Sequence, residues 1–209
     1  PTRPVSPSVV STVGMAAVIG LVLAVGGAFL IEFLDDTVKT PDDLQRAAQL
    51  TALGTISRVA GNDGKYRLMA AEEPMSHIAE AYRALRTNIR ISSVDEPIRT
   101  LIVTSPNPRE GKSTTAASLG VVVAQSGTSV ILVDADLRRA SLHRYFSLPS
   151  KEGLTNALVQ DDLSVDGWLQ QTEVENLRVM TSGPLPPDPA DLLGSKKMHH
   201  LIECLEQEA

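Results

Sequence analysis

The longest uninterrupted apolar stretch lies near the start of the chain. Val9 to Ile31, VVSTVGMAAVIGLVLAVGGAFLI, runs for 23 residues without a charge. At about 1.5 Å rise per residue a helix of that length reaches about 34 Å, enough to cross a hydrocarbon core of about 30 Å. A secretory signal describes it less well: a proline-rich segment precedes the run where a basic start belongs, and Glu32, Asp35 and Asp36 follow it. The pattern predicts one transmembrane helix over residues 9–31. Ala16, Gly20, Ala24 and Ala28 recur every fourth residue, a small-residue stripe that admits close approach of another membrane helix. Small residues are also common in membrane spans at large, so the stripe by itself leaves both readings open.

Beyond the span the pattern becomes that of a globular chain. Thr40-Pro41-Asp42-Asp43 reads as a helix start, with a capping Thr, Pro at the first helical position and acids where the helix dipole favours them. Gly61-Asn62-Asp63-Gly64 is turn chemistry, and residues 32–74 read as a juxtamembrane connector. In Met75 to Ser92, residues Ile78, Tyr82, Leu85 and Ile89 fall at helical spacing. Short β-branched runs at Arg99–Thr104, Ser129–Asp134 and Asn176–Thr181 predict three parallel strands. Helical stretches separate them at Ala116–Gln125, Glu152–Gln160 and Val165–Gln171, and Lys196–Glu208 closes the chain. Strand and helix alternation of this kind predicts an α/β fold with a parallel sheet.

Composition narrows the function. Hydrophobic residues make up 43% and charged residues 21%, which excludes a disordered tail and a bare coiled coil. The net charge of −6 and the 3% aromatic content argue against nucleic-acid binding by a basic face or by base stacking. The single cysteine, Cys204, excludes a disulfide scaffold and fits a reducing compartment. His199-His200 lacks a third ligand at metal spacing, so no zinc site is read there. Trp168 and His143 read as packing residues.

The chemistry lies between the first two predicted strands. Ser105-Pro106-Asn107-Pro108-Arg109-Glu110-Gly111-Lys112-Ser113-Thr114 joins a strand to a helix, the layout of a P-loop. Gly111 lets backbone approach phosphate, and successive N–H groups at the helix start cradle negative oxygens. Lys112 supplies a mobile cation for the β- and γ-phosphates, and the Ser113 hydroxyl is placed to ligate Mg²⁺. The pattern GxxxxGK[ST] calls for glycine where this chain has Pro106. The next strand ends in Asp134-Ala135-Asp136-Leu137-Arg138-Arg139. Carboxylates at i and i+2 leaving a strand point to one side, toward the crevice at the carboxyl ends of a parallel sheet. Beside Mg-ATP such a pair can hold the metal's water shell and accept a proton from an attacking hydroxyl.

This combination resembles the bacterial tyrosine kinases fused to polysaccharide chain-length regulators, and the resemblance covers nearly the whole chain. PTRPVSPS, the apolar span and FLDDTVKTPDDL resemble the end of a chain-length determinant module. TSPNPREGKSTT resembles the variant Walker A loop of that family, ILVDADLRRASLH its distinctive Walker A′ motif, and SGPLPPDPADLL a proline-rich segment common among its members. The Walker A′ match is the most specific. The resemblance implies that Pro108 to Thr114 bind ATP and that Ser113, Asp134 and Asp136 bind Mg²⁺. Lys112, Asp134 and Asp136 are implied as catalytic, with the roles of the two acids unassigned. EAYRALRTNI resembles the family's ExxRxxR helix, which implies a homo-oligomer contact through Glu80, Arg83 and Arg86. From spacing alone those three residues describe a solvated face with one Glu–Arg pair.

The expected whole is an α/β chain: one membrane helix and then an incomplete P-loop NTPase-type parallel sheet. Residues 1–8, with Pro1, Pro4 and Pro7 every third position, form a polyproline segment or stiff linker at the periplasmic end of the chain-length module. Residues 9–31 span the bacterial inner membrane, 32–74 connect, and 75–209 form the N-terminal part of a cytoplasmic kinase domain. Charge on either side of the span, Arg3 against Lys39 and Arg46, orients it weakly, and the nucleotide site sets the cytoplasmic side. Other membrane helices of the assembly and a polysaccharide export machinery are the expected partners. A start at Pro1 and an incomplete sheet point to a piece of a longer chain, and the resemblance puts the Walker B strand and a tyrosine cluster beyond Ala209. The tyrosines present are Tyr66, Tyr82 and Tyr145. Two departures from the family pattern stand out: Arg109 occupies a position where many relatives have glycine, and the Walker B strand and tyrosine cluster are expected beyond Ala209. Residues 105–110 offer no additional lysine of the kind the partitioning ATPases usually carry early in the loop, which argues against that class. The alternatives are a chain-length regulator with a non-catalytic nucleotide domain and a partitioning-type ATPase.

Overall fold

The structure is a computed structural model, and it describes residues 9–34, 49–57, 67–93, 98–160 and 165–209. The proline-rich start, the helix start at Thr40 and the turn at Gly61–Gly64 lie outside the described residues. The chain divides into two compact units, Pro1–Ala52 and Leu53–Ala209.

The first unit contains helix α1, Val9–Phe33, which is uncharged through Ile31 and buries none of its residues within the protein. It is long and apolar enough to cross a membrane.

The second unit is a sheet between two helical layers. Helix α2 (Met69–Glu72) leads into α3 (His77–Ser92), which starts where the Ser76 hydroxyl accepts a hydrogen bond from Ala79 N–H at 3.2 Å. Ile78, Ala79 and Tyr82 form its buried stripe. Helix α4 (Lys112–Ala124) is apolar nearly all round and buries Ala117 to Val122 and Ala124. Strand β1 is Val130–Val133. Helices α5 (Leu142–Tyr145) and α6 (Leu154–Val159), a 3₁₀ turn at Val165–Trp168, β2 (Gln170–Gln171), β3 (Leu177–Met180), α7 (Pro189–Leu193) and α8 (Lys196–Glu208) follow. Helix α8 opens on Ser195, whose hydroxyl accepts from Met198 N–H at 3.2 Å, and it buries Leu201 and Leu205.

The sheet has the order β1-β3-β2. β1 and β3 run parallel with Val130 opposite Leu177 and Val133 opposite Met180, while β2 adds antiparallel at the edge. Alternation along the strands divides the core into two. Val130, Leu132, Leu177 and Val179 pack with α2, α3 and α4, whereas Ile131, Val133 and Met180 pack with α6 and α8. Gly120 of α4 meets the sheet without a side chain: a Cβ there would stand 2.9 Å from a Leu132 methyl. Residues ahead of α3 join the first cluster, since Leu68 and Ala70 are buried in it.

Three expectations change. Of three parallel strands, two are found. Arg99–Thr104 pairs with no strand among the described residues, and Leu101 and Ile102 are 49% and 83% exposed. A short apolar, β-branched run makes a strand only when a neighbour accepts its ladder bonds, and a run of residues does not carry that information. The helix expected over Val165–Gln171 is one 3₁₀ turn followed by β2, where Gln170 pairs with Val179. The short helices α2, α5 and α7 carry too few turns to show a helical period in the sequence.

Candidate active site

The two parallel strands end at the same edge, and the turns that follow them, with the loop before α4, enclose an open cleft of about 760 Å³. Ligands in open α/β sheets bind at this edge. The loop at 105–111 is held by its own polar groups. Glu110 accepts from Asn107 N–H at 3.1 Å and from the Asn107 side-chain amide at 2.9 Å, and the Ser105 hydroxyl donates to Asn107 C=O at 2.9 Å. Gly111, the residue before α4, has φ 92°, a left-handed conformation that glycine adopts without steric cost. Helix α4 therefore begins directly at Lys112, with its first N–H groups aimed at the cleft.

Lys112 Nζ lies 2.6 Å from Asp136 Oδ2, with 31% and 20% of the two side chains exposed. The P-loop and the turn after β1 therefore share one charge pair. Burial opposes ionisation of Asp136. The hydrogen bond and charge of Lys112, together with the Arg139 N–H at 2.9 Å, outweigh it and hold the carboxyl below its ordinary range. Asp134 behaves oppositely. It is buried, and burial pushes its pKa up against the hydrogen bonds that Oδ2 accepts at 2.8 Å from Leu142 N–H and Ser141 N–H.

The two carboxylates were expected to point to one side, and they separate. The strand ends at Val133, so the alternation that would align positions 134 and 136 no longer holds beyond it. Asp134 turns back to the backbone ahead of α5, and Asp136 turns to Lys112. Pro108, Arg109, Gly111, Lys112, Ser113 and Thr114 line the cleft, while Glu110 folds onto its own loop. Sequence reasoning missed Arg138, Arg139, Arg144, Tyr145, Ser182 and Gly183, which line it too. The arginines stood in the quoted DADLRR motif, but a motif does not say which way a side chain leaves a turn. Ser182 and Gly183 reach the site only because β3 lies beside β1.

With Lys112 and four arginines in its wall and no acid among the lining residues, the cleft suits a polyanion. The donors beside it suit Mg²⁺ as well, since a hydroxyl (Ser113) and a carboxylate (Asp136) are hard oxygen ligands. Mg²⁺ usually takes only one or two carboxylates, with water and phosphate completing its shell. Among the described residues no group of three or more His, Cys, Asp or Glu gathers into a metal cage.

Arg109 sits at φ 68° in the left-handed region. Glycine there would relieve about 1 kcal/mol of backbone strain, partly offset by its greater freedom in the unfolded chain. Arg109→Gly is thus expected to raise the melting temperature by about 1–2 °C. The same change removes a cation from the cleft wall and should weaken ATP binding about threefold, close to 0.6 kcal/mol. Thermal melting without nucleotide and an ATP titration check the two signs separately.

In helix α3, Glu80 and Arg83 pair on the surface at 2.8 Å, and Arg83 also donates to Pro74 C=O. Arg86 turns inward: Nη1 donates to Val122 C=O of α4 at 3.1 Å, and its Nε is buried without a partner.

Comparison with known proteins agrees with this fold. A family model described as ATPase MipZ matches residues 99–176, from the segment before the P-loop to the start of β3. Tyrosine-protein kinase YwqD of Bacillus subtilis is 45% identical over 141 residues, 68% of this chain and 59% of that protein. The chain thus spans less than two thirds of that relative. The kinase domain of Escherichia coli tyrosine kinase ETK superposes with a TM-score of 0.73 at 28% identity, covering 82% of this chain and 69% of the other. The chimerical protein CapA2B2 superposes with a TM-score of 0.71 at 36% identity, over 81% of this chain and 71% of that one. An α/β unit with a phosphate-binding loop, one lysine–aspartate pair across two turns and these likenesses lead to one assignment: the chain belongs to the bacterial tyrosine-protein kinases.

Proposed function

We propose that the protein is a membrane-anchored protein-tyrosine autokinase that transfers the γ-phosphoryl group of Mg-ATP to tyrosine, mainly on neighbouring copies. The observation that supports it most is the 2.6 Å contact of Lys112 with Asp136, which joins the phosphate loop to the acidic turn in one site. Lys112 and the first N–H groups of α4 hold the β- and γ-phosphates, and the arginines of the turn after β1 add positive charge at the rim. The Ser113 hydroxyl and Asp136 would hold Mg²⁺, which would supply charge neutralisation at the phosphates. Asp136, ionised and partly exposed, is the better placed of the two acids to meet metal or an incoming phenol. Asp134, buried and raised in pKa, serves chiefly to fix the turn, because its Oδ2 already accepts two backbone hydrogen bonds.

The wider assignment follows the family resemblance. Residues 1–8 belong to the periplasmic end of a chain-length determinant module, α1 anchors the protein in the inner membrane and 32–74 connect. Residues 75–209 form the N-terminal part of the cytoplasmic kinase domain. The kinase acts on extracellular or capsular polysaccharide biosynthesis and export, beside other membrane helices of its assembly. Glu80 and Arg83, both on the surface of α3, contribute to a homo-oligomer contact. Arg86 supports that helix from within, through Val122.

A second reading, an ATPase that phosphorylates no protein, is favoured by the MipZ match. Incubating the intact protein with Mg²⁺ and γ-labelled ATP separates the two. Label on tyrosine is the expected result, and release of inorganic phosphate with no labelled protein would select the ATPase.

A further inference from the structure

Tyr145 ends the short helix α5 and lines the nucleotide cleft. Its ring packs against the buried cluster shared by α3, α4 and the sheet, so the ring is fixed by apolar contacts. Its hydroxyl leaves that cluster and lies 2.7 Å from Oγ1 of Thr114, the third residue of α4 and a wall residue of the cleft. Helix α5 also carries, at its other end, the Leu142 N–H that with Ser141 N–H holds Asp134. One short helix thus touches both halves of the site.

We propose that Tyr145 is a positioning residue for the nucleotide: its phenol donates to Thr114 Oγ1 and turns the Thr114 O–H into the cleft, toward a phosphate oxygen. A hydroxyl has one proton to give and two lone pairs to accept with. An unengaged threonine hydroxyl rotates and spends its proton on the nearest carbonyl of its own helix. A donor held at its lone pair removes that option, and charge-assisted bonds to phosphate are the stronger for being prepared in advance. A phenol suits the task because it is more acidic than an aliphatic hydroxyl and takes the donor role in the pair. The inference rests on the reading of this cleft as the ATP site.

The experiment uses the intact protein in detergent, titrated calorimetrically with ATP in the presence of excess Mg²⁺. Tyr145→Phe keeps the ring and removes only the hydroxyl, so its melting temperature without nucleotide should stay within about 2 °C of wild type. Its ATP dissociation constant should rise about three- to tenfold, the scale of one lost hydrogen bond. In a Thr114→Val background the same substitution should add nothing further, because the hydroxyl it orients is gone. An unchanged dissociation constant in Tyr145→Phe, with wild type binding normally, overturns the inference alone. So does a weakening of equal size in the Thr114→Val background, which places the effect of the phenol elsewhere. A wild-type protein that binds no ATP overturns both the inference and the reading beneath it.

Discussion

Lys112→Met is expected to abolish phosphotyrosine formation, by a factor on the order of 10²–10³ or more. That is the scale seen when one preorganised charge donor to a transition state is removed. Methionine matches the length of the lysine stem but carries no cation, so the loop keeps its packing and loses only the charge at the phosphates. The same substitution takes from Asp136 the partner at 2.6 Å. Asp136 is held below its ordinary range against burial by that hydrogen bond and charge, so without Lys112 its pKa should climb. The linkage runs in one direction. A carboxyl whose folded pKa is depressed adds stability above its unfolded pKa, and that contribution is lost as pH falls through the folded value. The wild type should therefore lose this increment in the acid range below pH 4, the ordinary aspartate region, while Lys112→Met, which keeps only backbone hydrogen bonds such as that from Arg139, should show a smaller loss. Immunoblotting for phosphotyrosine and melting curves from pH 3 to pH 7 test the two parts. Persistent phosphotyrosine in the variant would exclude Lys112 from catalysis.

Gly153→Ala is expected to destabilise the second unit by about 3 kcal/mol, at the upper end of the usual cost of forcing atoms into a filled site. Gly153 precedes α6, and a Cβ there would stand 2.0 Å from Thr181 C=O oxygen and 2.7 Å from Gly183 N. Both are backbone atoms that no rotamer change can move aside. They belong to the segment after β3, where Thr181 C=O accepts from Leu154 N–H at 2.8 Å and Ser182 C=O from Thr155 N–H at 2.9 Å. Those carbonyls satisfy the first N–H groups of α6, so displacing them uncaps the helix as well. In a chain of this size the change corresponds to a fall in melting temperature of about 6–12 °C. Gly167→Ala is the control, since no atom lies within 4 Å of the Cβ it would add. Equal melting temperatures for the two variants would refute the close-packing account. Because Ser182 and Gly183 line the cleft, the surviving folded Gly153→Ala protein should also bind ATP more weakly.

Local signals in the chain carried far. Helix α8 occupies Lys196–Glu208 as its pattern predicts, and β1 and β3 lie within a residue of their predicted ends at each side. Each of these elements combines a clear period with a stop or cap: Ser195 before α8, Gly127 ahead of β1. Helix α4 begins at Lys112, four residues before the predicted Ala116, because Gly111 and the turn ahead of it let the helix start at the loop itself. Nothing in the composition of Gln170–Gln171 marks a strand, and it becomes one only because the edge of β3 is open to it.

The order of residues alone determined that the protein has one span-length apolar helix, an α/β unit and a lysine-bearing phosphate loop one strand ahead of a double-aspartate turn. Those properties are local: length, period, and the chemistry of a few neighbours in the chain. Tertiary structure decided which acid meets the lysine, which carboxylate is consumed by backbone N–H groups, and that Tyr145 and Gly183 belong to the same cleft as Gly111. Side-chain direction beyond the end of a strand, and contacts between segments from 24 residues apart (Lys112 and Asp136) to 72 (Gly111 and Gly183), depend on how the sheet and its flanking helices pack, and no short stretch of sequence encodes that.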